Sequence, residues 1–410
     1  MNKAGACRTA MAVLAIGGAL AARATTFYVA LDNPTPEHPF TNWAMAGTNL
    51  LEVVNTAMTN GNGHTVLVSN GLYVLTNQID ITNRLSLTSV NGRTKTILDG
   101  NRGVTSNRCA YLRHYQSILS GFTVSNGGSD TIEGGGVRCE NGTVNDCTIT
   151  LNIGLNGAGV FMEAGTLTNC LIFTNMLNAA CSFGTGGGGV MTRFNNASVI
   201  ANCQIVSNYA YRTGGLHARS PVVIRDCVIA YNYCWASDAG GVYLYSDGGN
   251  KVMERCEVYG NRAGNYCGGV YIHLGAVSNC VIFNNSAPSY AGGCYLAGDG
   301  ILCNSLVYSN RLTSGSSLNR GGGVCAVGGS ILNCTLAANR DVSGYNGLSC
   351  TNATKTVPVV NTIIVSNSVY DGVIQAAFSN CCLESTAGLN ATDCLTDNPR
   401  FVNYAAGNFR

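Results

Sequence analysis

A short alternation of apolar and polar positions recurs nine times between about residues 121 and 367. Each copy has a small residue, a branched aliphatic residue two positions later and an asparagine five positions after the small one. A spacing of two places the small and aliphatic side chains on one face of a strand, and branched side chains favour strands. The small positions are Cys147, Cys170, Cys203, Cys227, Cys256, Cys280, Ser305, Cys334 and Thr362; the aliphatic ones are Ile149, Ile172, Ile205, Ile229, Val258, Ile282, Val307, Leu336 and Ile364; the asparagines are Asn152, Asn175, Asn208, Asn232, Asn261, Asn285, Asn310, Asn339 and Asn367.

A second strand is predicted after each glycine pair, with one inward apolar residue. The small positions recur every 23 to 33 residues, and units of that length must stack on one another to bury a core. Leucine-rich and propeller signatures are missing, and the many glycines disfavour helices. We therefore predict an all-β parallel β-helix of about a dozen coils, roughly 55–60 Å long. The inward residues are Val137, Val160, Val190, Leu216, Val242, Val270, Cys294 and Val324.

The asparagines and cysteines are interpreted as structural columns. Asparagine tolerates left-handed backbone angles and bonds within turns, and stacked amides can bond one another along the axis. A position that accepts Cys, Ser or Thr requires a small side chain, so we predict buried thiols that fill the core. Disulfides remain the alternative, because stacked Cα atoms about 4.8 Å apart fall within the disulfide range.

The residue after each inward apolar residue faces away from the core by strand alternation. Amphipathic aromatic surfaces suit sugar rings and protein partners, so this row is the candidate binding surface. Stacking of aromatic rings between coils, which only stabilises the sheet, is the alternative interpretation. The row is Arg138, Phe161, Met191, His217, Tyr243, Tyr271, Tyr295 and Cys325, and the proposed ligand-binding residues are Phe161, His217, Tyr243, Tyr271 and Tyr295, with Trp235 on a nearby loop.

The chain start predicts export. Lys3 and Arg8 precede an apolar run and an Ala-x-Ala site, which is typical of a signal peptide over residues 1–24; an uncleaved anchor is the alternative. An N-terminal strand and capping helix are expected over 25–64, the β-helix over 65–380 and a closing segment over 381–410. Only 11% of residues are charged and the net charge is +2, which argues against nucleic acid as a partner.

Several segments resemble known β-helix proteins. Residues 48–58 and 64–73 resemble the capping helix and first strand of the pectate-lyase-like superfamily, and 95–100 and 121–126 resemble its next coils. The glycine-pair and Asn-Cys repeats are similar to polymorphic outer-membrane protein repeats. Residues 397–403 and 407–410 resemble the end of bacterial surface β-helix proteins, which continue into a variable anchor. The resemblance implies a right-handed β-helix at the cell surface or outside the cell, but this fold hosts unrelated activities.

No catalytic motif stands out in the sequence. The lyase and hydrolase motifs that the resemblance would bring are missing, and we infer no metal and no cofactor. Asp238 and Asp247 flank one strand and could form a carboxyl pair, but solvated loop charge is the simpler interpretation.

Three functions remain open. The first is a non-catalytic rod that binds extracellular polysaccharide or a surface protein, as an adhesin does. The second is a polysaccharide lyase or glycoside hydrolase with a site in the insertions at 176–186 and 311–320. The third is a structural surface component. For the enzyme, the candidate cations are Arg193, Arg212, Arg311 and Arg320.

Overall fold

The computed structural model describes residues 24–177, 186–194, 196–247, 249–314, 321–342, 346–350, 356–366, 368–370, 376–397 and 399. Within them the chain winds into a parallel β-solenoid of about 11 turns that is only 4% helical. In seven of the described coils the chain passes through a first, a second, a fourth and then a third sheet, and the other described coils have no strand in the fourth. All paired strands are parallel, and each strand bonds the equivalent strand of the neighbouring coil.

The first and second sheets meet at the small-residue position. The first sheet contains Thr26–Val29, His64–Val68, Leu85–Ser89, Ile118–Ser120, Thr143–Asn145, Gly165–Thr168, Ser198–Ala201, Val222–Arg225, Lys251–Glu254, Ala276–Ser278, Ile301–Cys303, Ser330–Leu332, Val357–Val360, Ala376–Ser379 and Asn390–Thr392. The second contains Gly71–Val74, Thr96–Asp99, Thr123–Ser125, Thr148–Thr150, Leu171–Phe173, Gln204–Val206, Val228–Ala230, Glu257–Tyr259, Val281–Phe283, Leu306–Tyr308, Thr335–Ala337, Ile363–Val365 and Cys382–Leu383.

The third and fourth sheets lie on either side of the glycine pairs. The third contains Ile79–Ile81, Ala110–Leu112, Val137–Cys139, Val160–Met162, Val190–Thr192, Leu216–Ala218, Val242–Leu244, Val270–Ile272, Cys294–Leu296, Val324–Ala326, Asn346–Cys350 and Ser368–Tyr370. The fourth contains Ile153–Gly154, Met176–Leu177, Tyr209–Ala210, Tyr233–Cys234, Arg262–Ala263, Ser286–Ala287 and Arg311–Leu312.

The sequence predicted two strands in each coil, and both are present as the second and third sheets. The structure adds the first sheet and the short fourth sheet. Strand pairing also continues past residue 380, into the segment expected to close the solenoid, through Cys382–Leu383 and Asn390–Thr392. The coils therefore extend further along the chain than the repeat pattern indicates.

One helix covers the N-terminal end of the lumen. Asn49 begins it as N-cap: its side chain accepts hydrogen bonds from the backbone of Leu51 at 3.0 Å and Glu52 at 3.3 Å. The helix Leu50–Thr59, preceded by a 3-10 turn at Trp43–Met45, buries one apolar face on the first strands. No helix in the described ranges is long and apolar enough to cross a membrane.

The asparagine column forms a continuous hydrogen-bonded ladder. From Asn152 to Asn339 the side-chain amide of each coil donates to the amide oxygen of the next coil, at 3.0 Å in every step. The same oxygens accept from backbone N–H groups, as Asn261 does from Asn232 at 2.9 Å. These asparagines are at most 1% exposed. Asn367 lies outside the described residues.

The left-handed residues of the coil are not the ladder asparagines, contrary to the sequence interpretation. They come one position earlier, as at Leu151 and Tyr231, with φ of 58° and 55°. A second left-handed residue precedes each small position, with φ between 47° and 56°, and there the chain mostly places Asn or Asp. Asp146 and Asp226 belong to this second set, which explains their exchange with asparagine.

The glycine pairs are required by close packing against the next coil. A Cβ on Gly215 would lie 2.4 Å from the carbonyl oxygen of Gly241 and 3.0 Å from the amide nitrogen of Asn232. The second glycine of each pair therefore gives the ladder asparagine its space. This contact connects the glycine pair with the ladder asparagine, two motifs that are separate in the sequence of the repeat.

The cysteine column lies in the turn between the first and second sheets. Its thiols face the lumen beside a carbonyl of their own turn, as Cys227 does with Arg225 at 3.1 Å. Every cysteine in the described ranges carries a free thiol. Burial raises the pKa of the Cys334 thiol to about 12. Ser305 fills the position with equivalent bonds, since its hydroxyl donates to Cys303 at 2.7 Å.

Candidate binding face on the third sheet

The outer face of the third sheet carries one side chain per coil in strict register. We call these side chains the outer row. Each member pairs with the same position of the next coil, as Tyr243 does with Tyr271 and Tyr271 with Tyr295. The row extends further than the sequence suggested, at both ends. Its members are Asp80, Tyr111, Arg138, Phe161, Met191, His217, Tyr243, Tyr271, Tyr295, Cys325 and Ser349.

Most of the outer row is closed to solvent, although it lies outside the lumen. Phe161 is 0%, His217 1% and Tyr243 4% exposed. Only Tyr271 among the predicted ligand-binding positions of the row is half-buried. Loops from neighbouring coils pack over the strands and form a second apolar cluster around Tyr295, Cys325 and Cys267. The sequence shows that these residues point away from the core but not that loops cover them.

Cross-coil stacking, the alternative considered for the row, is present. The rings of Tyr243 and Tyr271 are 4.3 Å apart and 23° from parallel, and His217 stacks on Tyr243 at 5.0 Å. Such pairs contribute to sheet stability beyond their buried area. Phe161, His217 and Tyr243 therefore act as packing residues in this conformation.

Half-buried aromatic rings surround the row on four successive coils. We call this set the aromatic patch: Tyr211, Trp235, Tyr245, Tyr266, Tyr271 and Tyr290. Tyr266 and Tyr290 stack at 4.6 Å and 9°, and Tyr211 packs edge-on against Trp235 at 4.7 Å. Burial raises the pKa of Tyr266. The indole Nε1 of Trp235 has no hydrogen-bond partner. The patch thus combines apolar ring surface with polar groups.

The N-terminal end of the outer row is charged. The Arg138 guanidinium bonds Glu163 through Nε at 3.0 Å and contacts Glu133 at 3.5 Å. Arg193 also reaches Glu133, at 3.4 Å. Tyr111 donates to Glu140, and burial together with this bond raises the pKa of Tyr111 to about 12. The sequence analysis missed Glu133 as a site residue; its position directly before a glycine pair was the signal that could have marked it.

Two further ion pairs flank the aromatic patch. Arg212 bonds Asp238 at 2.6 Å, and Arg219 bonds Asp247 through Nε at 3.0 Å. The sequence interpretation of Asp238 as a solvated loop charge is wrong. Asp238 is buried, because its loop folds against Arg212. Asp247 stays half-exposed. Each of these carboxylates is matched by its own arginine, so the patch has little net charge.

His217 is a buried imidazole without a polar partner. Neither ring nitrogen has a hydrogen-bond partner, and a Cβ added to Gly186 would lie 1.9 Å from Nδ1. Burial, reinforced by the positive charges of Arg212 and Arg219, holds the pKa of His217 well below its ordinary value. The neutral form therefore fits this position.

The remaining predicted enzyme elements are only partly described. Residues 178–185 and 315–320, with Arg320, lie outside the described residues, and Arg311 is exposed on the fourth sheet. Arg193 and Arg212 are engaged in the ion pairs above. Across the parts of the chain that the structure describes, no group of three or more His, Cys, Asp or Glu side chains is placed to hold a metal ion.

Comparison with known proteins bears on the fold. The Dettilon tailspike protein (gp208) matches 86% of this chain and 70% of its own, with a TM-score of 0.52 and 14% identity. Pectate lyase Pel9A matches 93% of this chain and 84% of its own, with a TM-score of 0.44 and 13% identity. The chain is a right-handed parallel β-helix protein. No protein-family model and no curated protein matches it.

Proposed function

We propose that this chain is an exported, non-catalytic rod that binds glycans or protein partners through the aromatic patch, as an adhesin does. The signal-like residues 1–24 support placement outside the cell or on its surface. The observation that carries the proposal is the patch itself, which presents half-buried aromatic rings from four successive coils. Rings with an apolar body and a polar tip suit sugars and protein surfaces alike.

The ion pairs support a non-catalytic role. Glycoside hydrolysis needs one carboxylic acid that can give up a proton and a second carboxylate close to it. Beside the patch, Asp238 and Asp247 each bond an arginine. Each carboxylate beside the patch is thus engaged with its own arginine, and the two are not paired with each other in these contacts.

Affinity electrophoresis of residues 25–410 through gels that contain acidic or neutral polysaccharides tests the proposal. Retarded migration without loss of the polymer supports a binding rod. Free migration through every gel contradicts glycan binding and leaves a protein-binding or structural rod. Clearing of the polymer contradicts the non-catalytic role.

The second candidate function is a polysaccharide lyase or glycoside hydrolase, and the charged end of the outer row favours it. One guanidinium, that of Arg138, contacts both Glu133 and Glu163. The shared guanidinium brings the two carboxylates close to each other, and a pair of neighbouring carboxyl groups is what glycosidases use. If polymer clearing is seen, Glu163→Gln should abolish it, and Asp247→Asn should leave it unchanged.

A further inference from the structure

The cysteine column ends in a pair that differs from all the others. Cys381 and Cys394 occupy successive small-residue positions at the C-terminal end of the described solenoid. The residues before them, Asn380 and Asp393, both have φ of 52°, in the left-handed region that is also found before every other small position. Leu395 donates its backbone N–H to Cys381 at 2.8 Å, and Cys382 bridges Leu395 in parallel register. The two thiols are thus neighbours in the stack.

The pair is adjacent in register and partly open. Ser379 pairs with Thr392 and Cys382 with Leu395, so Cys381 and Cys394 occupy equivalent positions of neighbouring coils. Cys381 is 1% exposed, whereas Cys394 is half-buried. The preceding small position holds Thr362, whose hydroxyl accepts from the backbone of Cys334. Thr362 therefore separates this pair from the rest of the thiol column.

The longer thiol run is also stacked coil on coil, but it is closed to solvent and has more than two members. From Cys147 to Cys280 six cysteines occupy successive coils, and the inner members each have a cysteine on both sides. All six are at most 2% exposed. An oxidant cannot reach these thiols, and no pairing between them is favoured by position.

We propose that Cys381 and Cys394 form an oxidisable dithiol that a small-molecule disulfide converts to a cross-link between the last two coils. Neighbouring parallel strands place Cα atoms about 4.8 Å apart, inside the range of disulfides. The Cys394 thiolate attacks the oxidant and releases one thiol. The Cys381 thiolate then attacks the mixed disulfide and releases the second thiol. Two S–H bonds become one S–S bond, and the two electrons reduce the oxidant's disulfide.

Peptide mapping tests the proposal. The purified chain is equilibrated with oxidised glutathione, alkylated and digested after Lys, Arg and Glu. Cleavage at Lys355, Glu384 and Arg400 separates a peptide of residues 356–384 from one of 385–400. We expect mass spectrometry to show these two peptides linked, and dithiothreitol to release them.

Cys382 is the matched control, because it adjoins Cys381 while its thiol donates to the backbone of Asp397 at 3.1 Å. Cys382→Ser should keep the link and Cys381→Ser should abolish it. The proposal is overturned if the cross-link persists in Cys381→Ser. It is also overturned if Cys381 and Cys394 both remain reduced, and are alkylated, at every glutathione concentration. Circular dichroism of each variant shows whether the solenoid is intact. A cross-link that forms only in denaturant also contradicts the proposal.

Discussion

The asparagine ladder and the outer row are both columns with one side chain per coil, yet they differ in kind. The ladder repeats one residue from Asn152 to Asn339 with the same bond at every step. The outer row changes from acid and arginine to aromatic, imidazole and thiol along its length. The ladder residue cannot change from coil to coil, because every coil requires the same hydrogen bonds at that position. A residue of the outer row faces loops that differ between coils, so its identity can change. Variation between coils therefore marks where function can reside.

The ladder should be the most sensitive place in the molecule. In Asn232→Leu the backbone N–H and the side-chain amide of Asn208 both lose their acceptor. The carbonyl of Ile205 loses the donor that the Asn232 amide supplies. Buried groups left without partners cost about 1–3 kcal/mol each, so we expect a loss of about 3–5 kcal/mol. Urea unfolding followed by circular dichroism measures it.

The exposed Asn250 is the matched control for that substitution. Its side chain has no role in the ladder, so Asn250→Leu should change stability by less than about 0.5 kcal/mol. Equal losses for Asn232→Leu and Asn250→Leu would show that the ladder does not stabilise the rod.

The aromatic patch should govern binding and leave the fold intact. Replacing Tyr243, as the sequence alone would suggest, confounds the two because that ring is buried. Tyr266→Ala with Tyr290→Ala removes a stacked pair of half-buried rings instead. We expect roughly tenfold to hundredfold weaker binding to the polysaccharide that retards the parent chain.

A stacked aromatic pair on another face of the solenoid provides the control for the removal of aromatic rings. Tyr259 and Phe283 stack at 4.8 Å on the second sheet. Tyr259→Ala should leave the binding curve in affinity electrophoresis unchanged. If it weakens binding as much as the double variant, the patch is not the binding surface.

His217 should make stability depend on pH. Its folded pKa is depressed, so the unfolded chain binds more protons as the pH falls below about 6.5. Stability is therefore present above that pH and declines below it, by up to about 1.4 kcal/mol per pH unit, until the folded pKa is reached. Urea midpoints between pH 7 and 5 report the slope. The charged groups that repel its proton are Arg212, Arg219, Arg193 and Lys251.

The His217→Gln variant separates this group from other acid effects. It should flatten the slope between pH 7 and 5, whatever its effect on stability at pH 7. The exposed His38 provides the control, since His38→Gln should retain the slope of the parent chain. An unchanged slope in His217→Gln would assign the pH effect elsewhere.

The cysteine column should tolerate exchange for serine with the smallest effect. Ser305 already fills one position, donating to Cys303 and accepting from the backbone of Cys280 at 3.1 Å. Cys256→Ser should therefore cost less than about 1 kcal/mol. Cys256→Leu should cost about 1–3 kcal/mol through overpacking. A serine variant as unstable as the leucine variant would show that the column requires sulfur.

The sequence predicted the elements whose side chains repeat. The second and third sheets were found because their inward residues recur beside a cysteine or a glycine pair. Within the repeats the first sheet was missed, since a strand such as Thr143–Asn145 has one inward residue, Val144, and no alternation of its own. The second-sheet strands are as short, but their inward residue stands at a fixed spacing from a small residue and an asparagine.

The candidate site was predicted less well than the coils. Strand alternation correctly sends Tyr243 and His217 away from the lumen, but burial depends on the paths of loops whose lengths differ between coils. Arg138 bonds Glu163, which lies 25 positions later in the chain. Such contacts follow from coil stacking and are not encoded in local spacing.

The ladder also bears on how such a rod can change in length. Each asparagine accepts from the coil before it and donates to the coil after it. When one whole copy is removed, the coils on its two sides meet, and the asparagine of one can still donate to the asparagine of the other. A duplicated copy likewise accepts from the coil before it and donates to the coil after it. Recombination between copies can therefore shorten or lengthen the gene product by whole coils, while the end cap and the binding face on the remaining coils stay in register.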